Sequence, residues 1–245
     1  MQVVILCGGK GTRAYPHTTY LPKPMMLVAG RPILLHVMQM YANHGHCEFV
    51  LALGYLKEAI MDYFDRKSLD WDVQLVDTGD ESQTGERIRR CKHLLRDRFM
   101  ATYSDGLSDV DLNELARFHE SHGGLATLTS TPLVSQYGTV EMEPEDGRIV
   151  SFQEKPVLPN YWINAGFFVF EKEVFDHWEG QNLEQEVFPS LAAKNLLHAY
   201  KHAGFFKSMD TLKDQEEIEK CCQGGRPRWQ REDVAASRVV QGGEK

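Results

Sequence analysis

Basic residues are in short supply: 27 lysines and arginines face 35 aspartates and glutamates, for a formal charge of −8. A protein that neutralises the phosphates of a duplex needs a cationic excess, so a nucleic-acid partner is excluded. A small anionic substrate is not, because a few local cations can hold it against an unfavourable net field. The five cysteines (Cys7, Cys47, Cys91, Cys221 and Cys222) are odd in number and lack CxxC spacing, which argues for reduced thiols. No apolar run approaches the roughly 20 residues of a membrane span. The segment MQVVILCGGKGTR has neither the basic flank nor the length of a secretory leader. These absences predict a cytoplasmic protein without membrane association. There is also no internal repeat and no low-complexity segment.

What is present is an alternation of strand and helix signals. Gln2–Cys7 is a β-branched and leucine-rich run ending in glycines, as expected of a strand buried on both faces. Helices are predicted over about 32–44, 57–64, 85–96 and 111–122, with strands at 49–53, 73–76 and 99–103 between them. That alternation predicts a Rossmann-like, doubly wound, mostly parallel α/β sheet. After residue 123 the pattern turns to consecutive strands, at 127–131, 138–142, 149–153 and 162–170. Asp146-Gly147 makes the middle pair an antiparallel hairpin added to the sheet. A helix near 183–194, a strand at 198–201 and a helix at 211–221 complete one domain over 1–222, with halves at about 1–123 and 124–222. Residues 223–245 read as a tail.

Gly8-Gly9-Lys10-Gly11-Thr12-Arg13 directly follows the first strand. Closely spaced glycines let successive backbone N–H groups converge on an anion without a Cβ in the way. The stretch Gly9–Ala14 also fits G-x-G-x-x-A, the dinucleotide fingerprint, which requires a helix to start inside the motif. Pro16, Pro22 and Pro24 prevent that helix, and the second strand closes in Ala52-Leu53-Gly54 where a ribose-binding acid should stand. A dinucleotide oxidoreductase is therefore rejected. His44-x-His46-Cys47 lacks a second half-site, and His119-Glu120-Ser121-His122 is not the HExxH of a zinc protease.

GGKGTR followed by Leu21-Pro22-Lys23-Pro24-Met25 resembles the signature of the sugar-1-phosphate nucleotidyltransferases. The segments VDTGD (76–80), TGER (84–87), YSDGLSDVD (103–111), SFQEKP (151–156), NAGFF (164–168) and SMDTL (208–212) are similar to those of glucose-1-phosphate cytidylyltransferases. The resemblance spans about residues 1–222. It implies the nucleotidyltransferase fold and Mg²⁺-dependent transfer of CMP from CTP to a sugar 1-phosphate, forming a CDP-sugar and pyrophosphate. It also implies a homo-oligomer.

Carried onto this sequence, the resemblance makes Leu6, Cys7, Gly8, Gly9, Lys10, Gly11, Thr12 and Arg13 the wrap around the nucleotide. Lys23 would contact the α-phosphate, and Ser82, Arg87 and Ser104 would lie by the base. Asp105 and Asp210 would hold magnesium; together with Arg13 and Lys23 they form the candidate catalytic set. Glu154, Lys155, Asn164 and Gly166 would line the sugar-phosphate pocket, with Gly138 allowing close approach. The chain departs from the cytidylyltransferase pattern in places. Only Asp65–Asp72 fills a gap that carries a longer insertion there, and Ser82, Glu86 and Ser104 replace Thr, Gly and Gly. Glu86 is expected to add a negative charge near the base pocket.

The chemistry suits these residues. The attacking phosphate oxygen is already ionised near neutrality, since the second pKa is about 6, so no protein nucleophile or general base is required. What must be supplied is charge suppression between two polyanions and geometry for in-line attack. UTP or another triphosphate, and an acceptor other than glucose 1-phosphate, remain open alternatives. A non-catalytic nucleotide-sugar-binding regulator would not need the carboxylates Asp105 and Asp210.

Overall fold

The computed structural model describes residues 1–12, 17–67, 69–223 and 225–230. The chain begins with β1 (Gln2–Leu6), buried at every position. A 3-10 turn at Lys23–Met25 leads into a small antiparallel pair, β2 (Leu27–Val28) and β3 (Arg31–Pro32). There follow α1 (Ile33–Ala42), β4 (Glu48–Leu53), α2 (Lys57–Asp65), β5 (Asp72–Asp77), α3 (Thr84–Arg90), β6 (Arg98–Tyr103), β7 (Gly106–Ser108) and α4 (Leu112–His122). The second half holds β8 (Ala126–Val134), β9 (Thr139–Met142), β10 (Ile149–Gln153), β11 (Val157–Glu171), α5 (Phe188–Ala193), β12 (Leu197–Lys201), β13 (Phe206–Ser208) and α6 (Leu212–Gln223).

Strands from both halves join one seven-stranded sheet in the order β12-β8-β11-β6-β1-β4-β5. β1 runs parallel to both β4 and β6, and only β11 runs against its neighbours. The sheet is mostly parallel, as the alternation predicted. Side chains leave each strand on opposite faces with period two. Val3, Ile5, Phe49 and Leu51 therefore enter the core with α1 on one side. Val4, Leu6, Val50 and Phe99 enter the core with Ile88 and Leu191 on the other. Chain order reverses at β1, with β4 on one side and β6 on the other. In such sheets ligands bind outside the carboxyl ends of the strands at that reversal. Leu6 of β1 is in register with Tyr103 of β6, so the loops that follow emerge side by side.

The expected 85–96 helix is shorter, ending at Arg90 with a 3-10 turn over Lys92–Leu94 behind it. The expected 183–194 helix opens as a π-turn, Leu183–Val187, before α5. Pro189 has no N–H to donate back into that turn, which fits the change of hydrogen-bonding register there. β11 is longer than expected, and its register against β8 slips between Leu158 and Trp162, around Pro159. The β9–β10 hairpin pairs antiparallel, as Asp146-Gly147 foretold. Among the described residues no helix is long and apolar enough to cross a membrane.

Candidate active site

The glycine loop leaves β1 on a buried guanidinium. A Cβ at Gly8 would stand 2.1 Å from Arg87 Nη1, so the backbone lies flat on that group. Arg87 donates to the carbonyls of Gly8 (2.8 Å), Leu53 (3.0 Å), Gly79 (2.8 Å) and Asp80 (3.1 Å) and to Thr78 Oγ1 (2.7 Å). It ties the glycine loop to the turn after β5. Burial lowers its pKa, but an arginine stays charged regardless. Three residues on, Gly11 takes φ = 60°, and a Cβ there would come within 3.1 Å of Lys23 Cβ. The loop thus rests against the stem of Lys23.

Lys23 is seated by the 3-10 turn and its side chain is 10% exposed. Its ammonium donates to Asp105 Oδ2 at 2.5 Å and to Asp210 Oδ1 at 2.9 Å. Burial alone would lower its pKa, but Asp105 and Asp210 outweigh that and raise it, so Lys23 is cationic. The two carboxylates come from distant parts of the chain. β7 pairs antiparallel with β13, Ser208 opposite Gly106, and the Met209 N–H donates to the Asp105 carbonyl at 3.0 Å. Asp210 follows immediately, and Ser208 Oγ donates to its second oxygen at 2.9 Å.

Two cavities meet at this cluster. The first, of about 310 Å³, is lined by Leu6, Gly8, Gly9, Gly11, Lys23, Ser82, Arg87, Ser104 and Asp105, all expected from the sequence, together with Pro24, Gln83, Thr84, Tyr103 and Asn182. The second, of about 560 Å³, is lined by Asn164, Asp210, Ile163, Ala165, Gly106, Glu184, Phe206 and Ser208, and shares Thr84, Tyr103 and Asp105 with the first. Asp105 stands at the junction.

The other expected residues fall elsewhere. Cys7 is buried behind the loop, and burial pushes its thiol pKa far up. Lys10 turns outward to Glu81 at 2.7 Å, and Thr12 is exposed; neither lines a cavity. Arg13 lies outside the described residues. Gly166 does not line the second cavity but makes room for it: at φ = 81°, its Cβ would stand 2.4 Å from Tyr103 Cδ2. Gly138, Glu154 and Lys155 line neither cavity. They sit on the hairpin and beside it, where Gly138 is filled by the Phe152 ring and Lys155 reaches only Glu154, at 3.9 Å. The charge of Glu86 is taken up: its carboxylate is held by Arg89 (2.7 Å) and Arg90 (2.9 Å), and it lines a polar groove that adjoins the first cavity at Ser82.

Tyr103, Thr84 and Glu184 were not singled out in the sequence. The Tyr103 hydroxyl donates to Glu184, Thr84 Oγ1 donates to the other Glu184 oxygen at 2.7 Å, and Asn164 Nδ2 reaches the tyrosine oxygen at 3.4 Å. Glu184 follows Asn182, which caps the π-turn. Thr84 and Tyr103 open two of the segments that carry the resemblance, but nothing in those segments signals their link to Glu184, because the network joins four separate stretches of chain.

Known proteins bear out the family and the fold. The sequence profile of the nucleotidyl transferase family matches residues 2–211. A glucose-1-phosphate cytidylyltransferase of Salmonella typhi is 37% identical, over 94% of this chain and 98% of its own length. Mannose-1-phosphate guanylyltransferase 1 of Arabidopsis thaliana is 32% identical, over 87% of this chain and 62% of its own. A UDP-glucose pyrophosphorylase complexed with UDP-glucose shares the fold with a TM-score of 0.70 at 19% identity, covering 92% of this chain and 99% of that one. HddC from Yersinia pseudotuberculosis, complexed with GMP-PN, does so at 0.68 and 20%, covering 89% and 98%. With a lysine and two carboxylates gathered where two cavities meet, and with these relatives along most of its length, the chain belongs to the nucleotidyl transferase family and is a nucleotidyltransferase.

Proposed function

We propose that this protein transfers CMP from CTP to a sugar 1-phosphate, glucose 1-phosphate first among them, releasing pyrophosphate. The observation that carries the reading is the junction at Asp105, where a glycine-walled cavity and a second polar cavity open on one lysine–carboxylate cluster. CTP and glucose 1-phosphate are chosen because the 37% identical relative of nearly equal length is a glucose-1-phosphate cytidylyltransferase.

In this reading the nucleotide takes the first cavity, with base towards Ser82 and phosphates along Gly8, Gly9 and Gly11. The sugar phosphate takes the second, beside Asn164, Tyr103 and Glu184. A phosphate oxygen of the sugar attacks the α-phosphorus, the bond from that phosphorus to the bridging oxygen of the β-phosphate breaks, and pyrophosphate leaves. The nucleophile carries its charge already, so Lys23 acts by neutralising the α-phosphate and Arg87 by fixing the loop.

Asp105 and Asp210 fit magnesium. Both already converge on one cationic nitrogen, and paired carboxylates completed by phosphate oxygens and water are what that hard ion prefers. When bound there, the ion would offset charge on the phosphates as they separate. The protein acts as a homo-oligomer in the cytoplasm. In support, the hairpin exposes Tyr137, Met142 and Phe152, apolar surface of the kind a second copy covers.

Pyrophosphate release, measured with each of the four ribonucleoside triphosphates and a panel of sugar phosphates, tests the assignment. CTP with glucose 1-phosphate is expected to give the highest kcat/KM. A preference for UTP or GTP would overturn the nucleotide, and no release with any pair would overturn the enzyme.

A further inference from the structure

Beyond α6 the described chain continues to Gln230, past the residues the family profile matches. This stretch is tied down. Trp229 is 3% exposed and belongs to the apolar core that also holds Met25, Leu107 and Met209. Its indole stacks on Phe205 with centroids 5.8 Å apart and meets His36 of α1 edge-on at 6.2 Å. Next to it, Arg228 lies over the Phe205 ring at 5.3 Å and approaches Asp109 at 3.6 Å. The indole N–H meets no acceptor among the described residues. A loosely held tail would turn that group to water, since burying it unpartnered costs free energy. Ring packing keeps it in.

The place of Phe205 gives this contact its consequence. Its N–H donates to Asp109 Oδ1 at 2.6 Å, and its carbonyl accepts from Ser108 Oγ at 2.7 Å and from the Asp109 N–H at 3.2 Å. The residue before β13 is thereby pinned to the end of β7. From there the pairing runs Phe206–Ser108, Lys207–Leu107, Ser208–Gly106, and closes with the Met209 N–H on the Asp105 carbonyl. β7 and β13 form a sheet of their own, with no third strand among the described residues to steady it. Its register sets the backbone of Asp210 against that of Asp105, while Lys23 and the Asp214 carboxylate, which accepts the Asp210 N–H at 3.2 Å, hold the residue from the sides.

We infer that Trp229 is a positioning residue for nucleotidyl transfer. Docked on Phe205, it holds the β7–β13 pair in the register that keeps Asp210 beside Asp105 and within reach of Lys23. The inference rests on reading those three side chains as the reaction centre. Misplacement of a reacting group by about 1 Å can cost a rate on the order of a hundredfold.

The test compares full-length wild type with Trp229→Ala and Trp229→Phe by two readouts. One is amide exchange over residues 206–209 in the free protein; the other is pyrophosphate release from CTP and glucose 1-phosphate. In the alanine variant exchange at 206–209 accelerates about tenfold or more while β1 stays protected. Its kcat falls about tenfold or more with KM for CTP changed less than about twofold, and the phenylalanine variant, which keeps the stack, stays near wild type in both. Should the alanine variant fail to fold, Phe205→Leu removes the same stack and is expected to behave as it would. Wild-type exchange and kcat in the alanine variant, a loss confined to KM, or a phenylalanine variant as slow as alanine would each overturn the inference. A wild-type protein without pyrophosphate release refutes the functional reading instead, and the exchange measurement then still decides whether Trp229 holds the strand pair.

Discussion

Asp105 and Asp210 present their carboxylates to the same ammonium: Lys23 Nζ lies 2.5 Å from an oxygen of the first and 2.9 Å from an oxygen of the second. Two carboxylates so placed repel unless a cation stands between them, and the chain brings them together through the β7–β13 pairing. In the proposed reading the same carboxylates would hold a magnesium ion, and Lys23 would then serve a phosphate. The design is one of charge neutralisation, and it asks for no protein nucleophile.

Lys23 offsets both carboxylates and, in the proposed reading, is the group that meets the α-phosphate. Lys23→Ala is expected to slow pyrophosphate release about a hundredfold or more at saturating CTP and Mg²⁺, the order lost with one preorganised charge contact. Steady-state kinetics check this, with circular dichroism showing that the fold persists. A rate within about threefold of wild type contradicts the assignment.

Gly166 has φ = 81°, and a Cβ on it would lie 2.4 Å from the Tyr103 ring. Gly166→Ala strains the backbone and displaces the tyrosine that borders both cavities. The expected result is a loss of about 2 kcal/mol of stability by denaturant titration, from left-handed strain and overpacking together. The KM for the sugar phosphate should rise by a larger factor than that for CTP, since the Tyr103 hydroxyl is bonded to Glu184 and Asn164 of the second cavity.

His122 confers an acid sensitivity. Its Nδ1 accepts the Gly124 N–H at 2.9 Å, its Nε2 donates to Thr127 Oγ1 at 2.7 Å, and its ring stacks on His198 with centroids 3.8 Å apart. Burial first, then the neighbouring His198 and His119, bring its pKa down to about 4. An unfolded histidine titrates near 6.5. The folded protein therefore binds fewer protons in between, and this contribution to stability is complete above about 6.5 and lost as pH falls towards 4. Thermal midpoints at pH 7 and pH 4.5 check it: His122→Gln should show a smaller drop than wild type. An equal drop contradicts the sign.

The sheet was legible because its central strands carry apolar runs, residues 3–6 and 49–53 among them, set between helices of clear period. The glycine loop, Lys23 and Asp105 were legible because they sit in compact motifs next to those strands. Asp210 needed the family resemblance, because its partner lies across a pairing of two three-residue strands that no periodicity announces. Tyr103, Thr84 and Glu184 escaped for the same reason: each is ordinary locally, and only the fold unites them. The neutralisation of Glu86 was not legible, because sequence position near the base loop says nothing about Arg89 and Arg90, which take up its charge on the same helix.

The most direct measurement is pyrophosphate release from CTP and glucose 1-phosphate by Asp105→Asn and Asp210→Asn at saturating Mg²⁺. Each substitution keeps the shape of the side chain and removes one negative charge from the cluster. The expected outcome is a loss of about a hundredfold or more in kcat with an unchanged circular dichroism spectrum. Either variant turning over at a rate close to wild type would show that the junction of the two cavities is not where the phosphoryl bond is made.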